Sequence, residues 1–329
     1  MPSVPVLDIS ALRGDDADAK RQTARAFARA FETIGFATIV GHGVAPALVE
    51  QIYRAGQSFF DLPLAEKLAA AGSERVKTRG YVPAGVESVA LTLGEQRPPD
   101  LVEALVFPGM HMETAVPTPG AVSTITGNRY PARPPELAQA AHAYFVAMRD
   151  LAADLMRLSA LALDLPHDWF EPYIDKRRGT LRLAFYPEQP NPPASGQLRY
   201  GAHTDYGGFT ILRQDDAPGG LQVDVGGEWI DIAPTSGAFV VNVGDLIARW
   251  TNDRWRSTLH RVVNPPRDTH ASTRRLSLVF FSGPNDDATI ECLPTCRSAA
   301  HPAKYAPVVA RDYILSKLDR SMPADLAAR

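Results

Sequence analysis

A histidine and an aspartate two residues apart, His203 and Asp205, form a pair that could bind a metal ion. Side chains alternate between the two faces of a β-strand, so these two would point the same way and Thr204 the opposite way. An imidazole and a carboxylate on one face of a strand can bind the same ion. The spacing alone does not exclude a histidine packed beside an acid, because the chain has eight histidines.

A third ligand must come from another part of the chain, and His260 is the best candidate. It lies in a strand-like run over residues 255–263 that follows a turn. Two imidazoles and one carboxylate on one face of an octahedron suit Fe(II) and leave adjacent coordination positions open. The same residue types can also hold zinc in a hydrolase. A barrel that binds a small ligand without catalysis is a third interpretation.

A second polar pair, Arg275 and Ser277, lies in an apolar run fifteen residues after His260. The alternation of a strand places Arg275, Ser277 and Phe281 on one face. A guanidinium beside a hydroxyl is suited to binding a terminal carboxylate, because arginine donates two parallel hydrogen bonds and keeps its charge when desolvated. An arginine facing water is the alternative interpretation, but the run is otherwise too apolar to face solvent.

The elements that would position these residues change character along the chain. Over residues 180–290, β-branched and aromatic runs alternate with turn residues at intervals of roughly 8 to 15 residues, which is typical of an antiparallel sandwich or barrel. The first half has mostly helical spacing. No linker separates the halves, so we expect one compact α+β unit. The predicted strands outside the barrel are 4–9 and 36–40, and the predicted helices are 19–34, 46–68 (interrupted at Pro63), 131–163 and 308–318.

Composition favours a small-molecule partner. A formal net charge of -3 and a pI of about 6.2 supply no basic field for nucleic-acid phosphates or anionic lipid. The chain has no apolar run of about 18 residues and no signal-like N-terminus, which predicts a cytoplasmic protein without a membrane partner. Its two cysteines, Cys292 and Cys296, are too few for a disulfide framework. The oligomeric state stays open.

The order of the H-x-D pair, the distant histidine and the R-x-S run resembles the isopenicillin N synthase-like branch of the iron(II)/2-oxoglutarate dioxygenases. Similar stretches extend along nearly the whole chain: 4–8, 34–36, 41–44, 59–63, 66–67, 79–81, 202–207, 214–216, 219–223, 241–245, 251–252 and 260–262. The resemblance implies a double-stranded β-helix (jelly-roll) core over residues 171–329, including a C-terminal helix. It also implies that residues 1–170 form a mostly helical region packed on this core.

The resemblance further implies an enzyme that uses Fe(II), 2-oxoglutarate and O2 to oxidise a C–H bond of a small molecule. The bond would be hydroxylated, desaturated or closed into a ring, with succinate and CO2 as co-products. By position, the iron ligands would be His203, Asp205 and His260. Iron oxidases of the same branch that do not consume 2-oxoglutarate keep the R-x-S strand, so this alternative stays open.

The co-substrate residues implied by the resemblance are Arg275 and Ser277, which would bind the far carboxylate of 2-oxoglutarate. Tyr186 occupies the place of a tyrosine that often touches the same molecule, and packing within the barrel is its alternative role. Many members have an asparagine two residues before that tyrosine, where this chain has Ala184.

Three residues are predicted to contact the substrate. Arg182 and Arg213 flank the metal motif, and an arginine that points into the barrel could anchor a substrate carboxylate. A solvated charge on a strand is the alternative for each. Phe281 continues the face that carries Arg275. The Gly- and Pro-rich segments 80–94 and 190–200 are predicted lids.

Overall fold

Two facing β-sheets form the centre of the computed structural model, which describes residues 3–72 and 79–320. The strands, in chain order, are β1 Val6–Asp8, β2 Phe36–Val40, β3 Gly80–Val82, β4 Glu103–Pro108, β5 Gly179–Tyr186, β6 Tyr200–His203, β7 Phe209–Arg213, β8 Gly220–Val225, β9 Glu228–Asp231, β10 Phe239–Val243, β11 His260–Val263, β12 Arg275–Ser282, β13 Thr289–Ile290 and β14 Val308–Val309. Within the described residues, the main sheet has the order β1-β2-β10-β7-β12-β5-β4-β3 and the minor sheet the order β6-β11-β8-β9. The predicted jelly-roll core is confirmed.

Helices flank the sheets, and the three longest described ones pack against the outer face of the main sheet. Their bounds are α1 Ala17–Thr33, α2 Pro46–Phe60, α3 Leu64–Ala69, α4 Glu136–Ala162, α5 Glu171–Ile174, α6 Asp245–Trp250 and α7 Ala310–Arg320. The first helix begins where the Asp16 carboxylate accepts the backbone N–H groups of Asp18 and Ala19, which would otherwise lack partners. None of the described helices is long and apolar enough to cross a membrane.

The apolar stripes of the helices meet the sheet in one core. Phe27 and Phe31 of α1 pack edge to face with ring centroids 4.5 Å apart, and Phe27 also contacts the rings of Phe209 and Trp255. On α4, Phe145 packs against Phe280 of β12 with ring centroids 5.3 Å apart. Burial of these aromatic side chains ties the helices of the first half to the strands of the second, which confirms the prediction of one compact unit.

The first half contributes strands as well as helices. β1 and β2 form one edge of the main sheet, and β3 and β4 form the other. Strands from both sides of residue 170 therefore share one hydrogen-bonded sheet. The division into regions 1–170 and 171–329 stays a prediction.

The faces of β12 determine which residues reach the space between the sheets. Leu276, Leu278 and Phe280 lie in the core shared with the helices. Because side chains alternate along a strand, Arg275, Ser277 and Phe281 share the opposite, inner face. The predicted co-substrate residues thus face the minor sheet.

Candidate metal and co-substrate site

The two predicted histidine ligands are neighbours across the minor sheet. His203 ends β6, His260 begins β11, and the two residues are register partners. Their ring centroids lie 4.2 Å apart. With Asp205 they form a buried cluster in which one ligand atom of each residue lies within 4.8 Å of the others. Residues 3–72 and 79–320 contain no second group of this kind.

Backbone carbonyls determine which imidazole nitrogens face the cluster. Nδ1 of His203 lies 2.9 Å from the carbonyl oxygen of Gly201, and Nδ1 of His260 lies 3.1 Å from that of Thr258. A carbonyl only accepts hydrogen bonds, so each Nδ1 carries a proton and Nε2 is the nitrogen that would bind a metal when the ring is neutral. Each Nε2 lies 3.7 Å from a carboxylate oxygen of Asp205. This set of two nitrogens and one oxygen fits Fe(II).

The carboxylate of Asp205 is held by two side chains that the sequence analysis did not identify. Its Oδ2 accepts hydrogen bonds from Oγ1 of Thr210 and from Nδ2 of Asn242, each 2.6 Å long. Thr210 lies on β7 and Asn242 on β10, so Asp205 is attached to the main sheet, whereas both histidines lie on the minor sheet. The available signal was that Asn242 is the only polar residue of its strand.

The surroundings favour the protonation states that bind a metal. Burial, followed by the positive charge that His260 can carry, lowers the pKa of His203 to about 4. Burial alone would raise the pKa of Asp205, but the two imidazoles and the hydrogen bonds from Asn242 and Thr210 lower it below its ordinary value. The carboxylate is therefore ionised and the His203 imidazole neutral at neutral pH.

The predicted co-substrate residues lie together on the inner faces of two paired strands. Arg275 is the register partner of Tyr186, and Ser277 is the partner of Ala184. Burial raises the pKa of Tyr186 to about 12, so its phenol keeps its proton and can donate a hydrogen bond. Arg275, Ser277 and Tyr186 are each at most 5% exposed. Because Ala184 has no polar side chain, it supplies no contact of the kind that asparagine offers.

The segment after β7 positions the guanidinium of Arg275. Nη1 donates to the carbonyl of Ala217 at 3.1 Å, and Nη2 donates to Oε1 of Gln214 at 3.0 Å. Asp215 accepts the backbone N–H of Leu276, the next residue on β12, at 2.9 Å. Nε of Arg275 is buried and has no hydrogen-bond partner in the part of the chain that the structure describes. The guanidinium therefore keeps capacity to donate to a ligand.

Arg182 points inward from β5 but already has an anionic partner. Its Nη1 and Nη2 donate to the two carboxylate oxygens of Glu87 at 2.9 and 2.5 Å, and the two side chains are 11% and 23% exposed. The Arg182 guanidinium also lies 5.4 Å from the ring of Tyr200, which in turn lies 4.9 Å from that of His203. Glu87 could not be identified from the sequence, because it lies 95 residues from Arg182.

The other two predicted substrate residues lie on opposite faces of the main sheet. Phe281 is the register partner of Thr210, which donates to Asp205, so Phe281 lies on the inner face. Arg213 shares a face of β7 with Ile211, which is buried against the helices. Its guanidinium stacks 4.0 Å from the ring of Tyr53 on α2. The prediction that Arg213 reaches the substrate is therefore wrong, because its side chain lies on the outer, helix-covered face of β7.

The first predicted lid is attached to β6, the strand that ends at His203, by a buried carboxylate. Asp100 accepts the backbone N–H of Val89 and that of Gly201, each at 2.9 Å. Burial raises the pKa of Asp100 to about 7. The segment 80–94 thereby places Glu87 near His203. A lid role for residues 80–94 and 190–200 stays a prediction.

Comparison with known proteins agrees with this geometry. Residues 178–284 match the family described as the 2OG-Fe(II) oxygenase superfamily, and residues 4–115 match the one described as non-haem dioxygenase in morphine synthesis N-terminal. The chain is 34% identical to the 2-oxoglutarate-Fe(II) type oxidoreductase hxnY of Emericella nidulans over 316 residues, covering 94% of this chain and 88% of that protein. It is 33% identical to homoarginine-6-hydroxylase 2-ODD-233 of Oryza sativa subsp. japonica, covering 96% of each. The crystal structure of a full-length Neurospora crassa protein in complex with alpha-KG and thymine superposes with a TM-score of 0.82 at 30% identity, covering 96% of each chain.

Proposed function

The chain belongs to the isopenicillin N synthase-like iron(II)/2-oxoglutarate-dependent oxygenases, and on that premise we propose that His203, Asp205 and His260 hold the iron. The enzyme uses Fe(II), 2-oxoglutarate and O2 to oxidise a C–H bond of a small molecule. Bound together, these groups supply an oxidant that removes hydrogen from an unactivated C–H bond, with succinate and CO2 as co-products. The observation that supports the ligand assignment is the buried cluster of three ligand atoms within 4.8 Å.

We assign the binding of the far carboxylate of 2-oxoglutarate to Arg275, Ser277 and Tyr186. All three share the space between the sheets, and each side chain can donate a hydrogen bond to a carboxylate. Anchoring the co-substrate at its far end fixes the direction in which it reaches the metal cluster. The hydrogen bonds from Gln214 and Ala217 support this role, because they hold the guanidinium in place before the ligand arrives.

We propose that Arg182, Glu87 and Phe281 form the substrate wall. Because Glu87 neutralises Arg182, a plain carboxylate would have to displace an ion pair, whereas a group with both an N–H donor and a carbonyl acceptor would not. We therefore favour a polar nitrogenous substrate over the simple carboxylate expected from Arg182 alone. The Neurospora crassa complex contains thymine and the rice relative is named for homoarginine, and both compounds offer N–H donors.

We assign residues 1–170 to a region that supports the core and residues 171–329 to the catalytic core, because all three ligands of the cluster lie in the second. We also propose a cytoplasmic location, which fits the free thiols of Cys292 and Cys296.

Anaerobic binding tests the metal site directly. Adding Fe(II) and then 2-oxoglutarate should produce a visible charge-transfer band, which Asp205→Ala should abolish and Arg275→Ala should weaken. Zinc chemistry, as in a hydrolase, gives no such colour. The exposed His270 offers a matched control, so His270→Ala should retain the full band. A wild-type protein that remains colourless would refute the proposed site.

Turnover separates the remaining alternatives. His203→Ala and His260→Ala should each abolish succinate formation while circular dichroism stays unchanged, because the core does not depend on a metal. Release of CO2 from labelled 2-oxoglutarate, screened with nucleobases, amino acids and their amides, identifies the substrate class. Product formation without consumption of 2-oxoglutarate would instead establish the oxidase alternative.

A further inference from the structure

A second arginine lies beside the co-substrate residues and was not predicted from the sequence. Arg199 has 0% exposure, its Nη1 donates to the carbonyl of Pro218 at 3.0 Å, and its Nη2 donates to the carbonyl of Thr273. Its Nε is buried and has no partner in the described chain. Both bonded acceptors are neutral, so these contacts satisfy hydrogen-bonding groups without compensating the charge.

Arg199 and Arg275 surround Tyr186 at what we call the arginine end of the cavity. The Arg199 guanidinium lies 5.7 Å from the ring centre of Tyr186, which is the register partner of Arg275. Burial and then the positive charge of Arg275 lower the pKa of Arg199 to about 10, so it is still charged at neutral pH. Among the residues that the structure describes, neither arginine forms an ion pair with a carboxylate.

The two nearby acids are engaged elsewhere. Glu188 accepts hydrogen bonds from the hydroxyls of Ser272 and Thr273. Asp215 accepts the hydroxyl of Tyr53 at 2.5 Å, besides its bond to the backbone of β12. Both acids act on Arg199 through space but do not touch its guanidinium. The arginine end therefore holds two buried cations that lack direct anionic partners, an arrangement that costs free energy unless an anion binds nearby.

We propose that Arg199 is a second cationic determinant of co-substrate binding, which together with Arg275 makes the arginine end selective for 2-oxo acids that carry a second carboxylate. The inference rests on the proposed function, in which Arg275 receives the far carboxylate. It goes further by assigning part of the attraction to a residue outside the R-x-S strand. Arg199 acts through its buried charge, because its two Nη atoms are already engaged by backbone carbonyls.

The test compares two ligands that differ in one charged group. The dissociation constants of 2-oxoglutarate and 2-oxopentanoate, which has a methyl group in place of the far carboxylate, are measured by anaerobic calorimetry on the Fe(II)-loaded protein. Arg199→Gln should weaken 2-oxoglutarate about tenfold or more and change 2-oxopentanoate less than about twofold. Arg199→Lys, which keeps the charge but not the two-carbonyl clamp, should stay within about threefold of wild type for 2-oxoglutarate.

A merely structural role predicts a different pattern. In that case Arg199→Gln would weaken both ligands equally, or neither, and Arg199→Lys would resemble Arg199→Gln, and any of these results would overturn the inference. Arg261 provides the matched control, because it is partly buried and stacks 4.0 Å from Trp229 on the outer face of the minor sheet. Arg261→Gln should leave both dissociation constants unchanged.

A second variant keeps the inference testable if Arg199→Gln does not fold. In Arg275→Gln the remaining cation should preserve a preference of about fivefold or more for 2-oxoglutarate over 2-oxopentanoate. Complete loss of that preference would overturn the role of Arg199. Unchanged 2-oxoglutarate binding in Arg275→Gln would instead refute the proposed co-substrate site, so the two failures are distinguishable.

Discussion

Asn242 donates its side-chain N–H to Oδ2 of Asp205 at 2.6 Å from a position that is only 3% exposed. The bond orients a carboxylate that also accepts a hydrogen bond from Thr210 and lies beside two imidazoles. Residues that orient a metal ligand in this way tune metal affinity without touching the metal. The effect of removing Asn242 can therefore be measured as a change in iron binding.

Asn242→Leu is expected to weaken Fe(II) binding by about 10- to 100-fold, because the variant keeps the side-chain volume but leaves Oδ2 of Asp205 with Thr210 as its remaining side-chain donor. Anaerobic calorimetric titration with Fe(II) provides the measurement. The exposed Asn191 gives the control, and Asn191→Leu should bind iron as wild type does. Equal affinities in the two variants would mean that Asp205 needs no support from β10.

Glu87→Gln is expected to convert the substrate wall into a carboxylate-binding surface, because the variant leaves the charge of Arg182 uncompensated. Benzoate is the probe, and its dissociation constant, measured with Fe(II) and saturating 2-oxoglutarate under anaerobic conditions, should fall about tenfold. The exposed pair of Glu95 and Arg97 lies in the same part of the chain, so Glu95→Gln is the matched control. Equal benzoate binding by wild type, Glu87→Gln and Glu95→Gln would contradict the proposal that Glu87 neutralises Arg182 in the substrate wall.

Asp100 is expected to make stability depend on pH near neutrality. Its pKa is raised to about 7 in the folded protein, chiefly by burial, so between its ordinary value and 7 the folded state binds the proton that the unfolded state has lost. The free energy of unfolding must then decrease as pH rises towards 7 and level off above it. Urea denaturation of wild type and Asp100→Asn at pH 5, 6, 7 and 8 measures this, and the Asn variant should lack that part of the slope. If the free energy of unfolding depends on pH in the same way in wild type and in Asp100→Asn, Asp100 is not the titrating group.

Phe27→Ala is expected to reduce the free energy of unfolding by about 3–5 kcal/mol, because Phe27 is fully buried and packs on Phe31, Phe209 and Trp255. Chemical denaturation provides the measurement. Leu64 is 57% exposed, and Leu64→Ala should change stability by no more than about 0.5 kcal/mol. A small loss in Phe27→Ala would mean that α1 contributes little to the shared core.

The inner face of β12 could be predicted because period-two alternation is a local property. Given that one face of an apolar strand is buried against helices, the positions of Arg275, Ser277 and Phe281 follow from their spacing. The same reasoning could not predict on which side of the sheet Arg213 lies, because alternation does not specify which face of β7 is the inner one. The packing of Ile211 against the helices makes its face the outer one, and this is a tertiary contact.

Ion pairs and hydrogen bonds between distant parts of the chain could not be predicted from the spacing of residues. Glu87 meets Arg182 across 95 residues, and Arg199 meets the backbone of Thr273 across 74. The charge of an arginine is visible in a sequence, but the group that compensates it depends on how the segments pack. For this reason neither the ion pair of Arg182 with Glu87 nor the position of Arg199 could be predicted from the sequence.

The cluster of His203, Asp205 and His260 is attached to both sheets, and this has a mechanical consequence. Both histidines belong to the minor sheet, whereas the carboxylate of Asp205 is anchored on β7 and β10 of the main sheet. An ion that binds all three side chains thereby cross-links the two layers of the jelly roll. Loading with Fe(II) should therefore slow amide hydrogen exchange in β10 and β11 together, although these strands belong to different sheets.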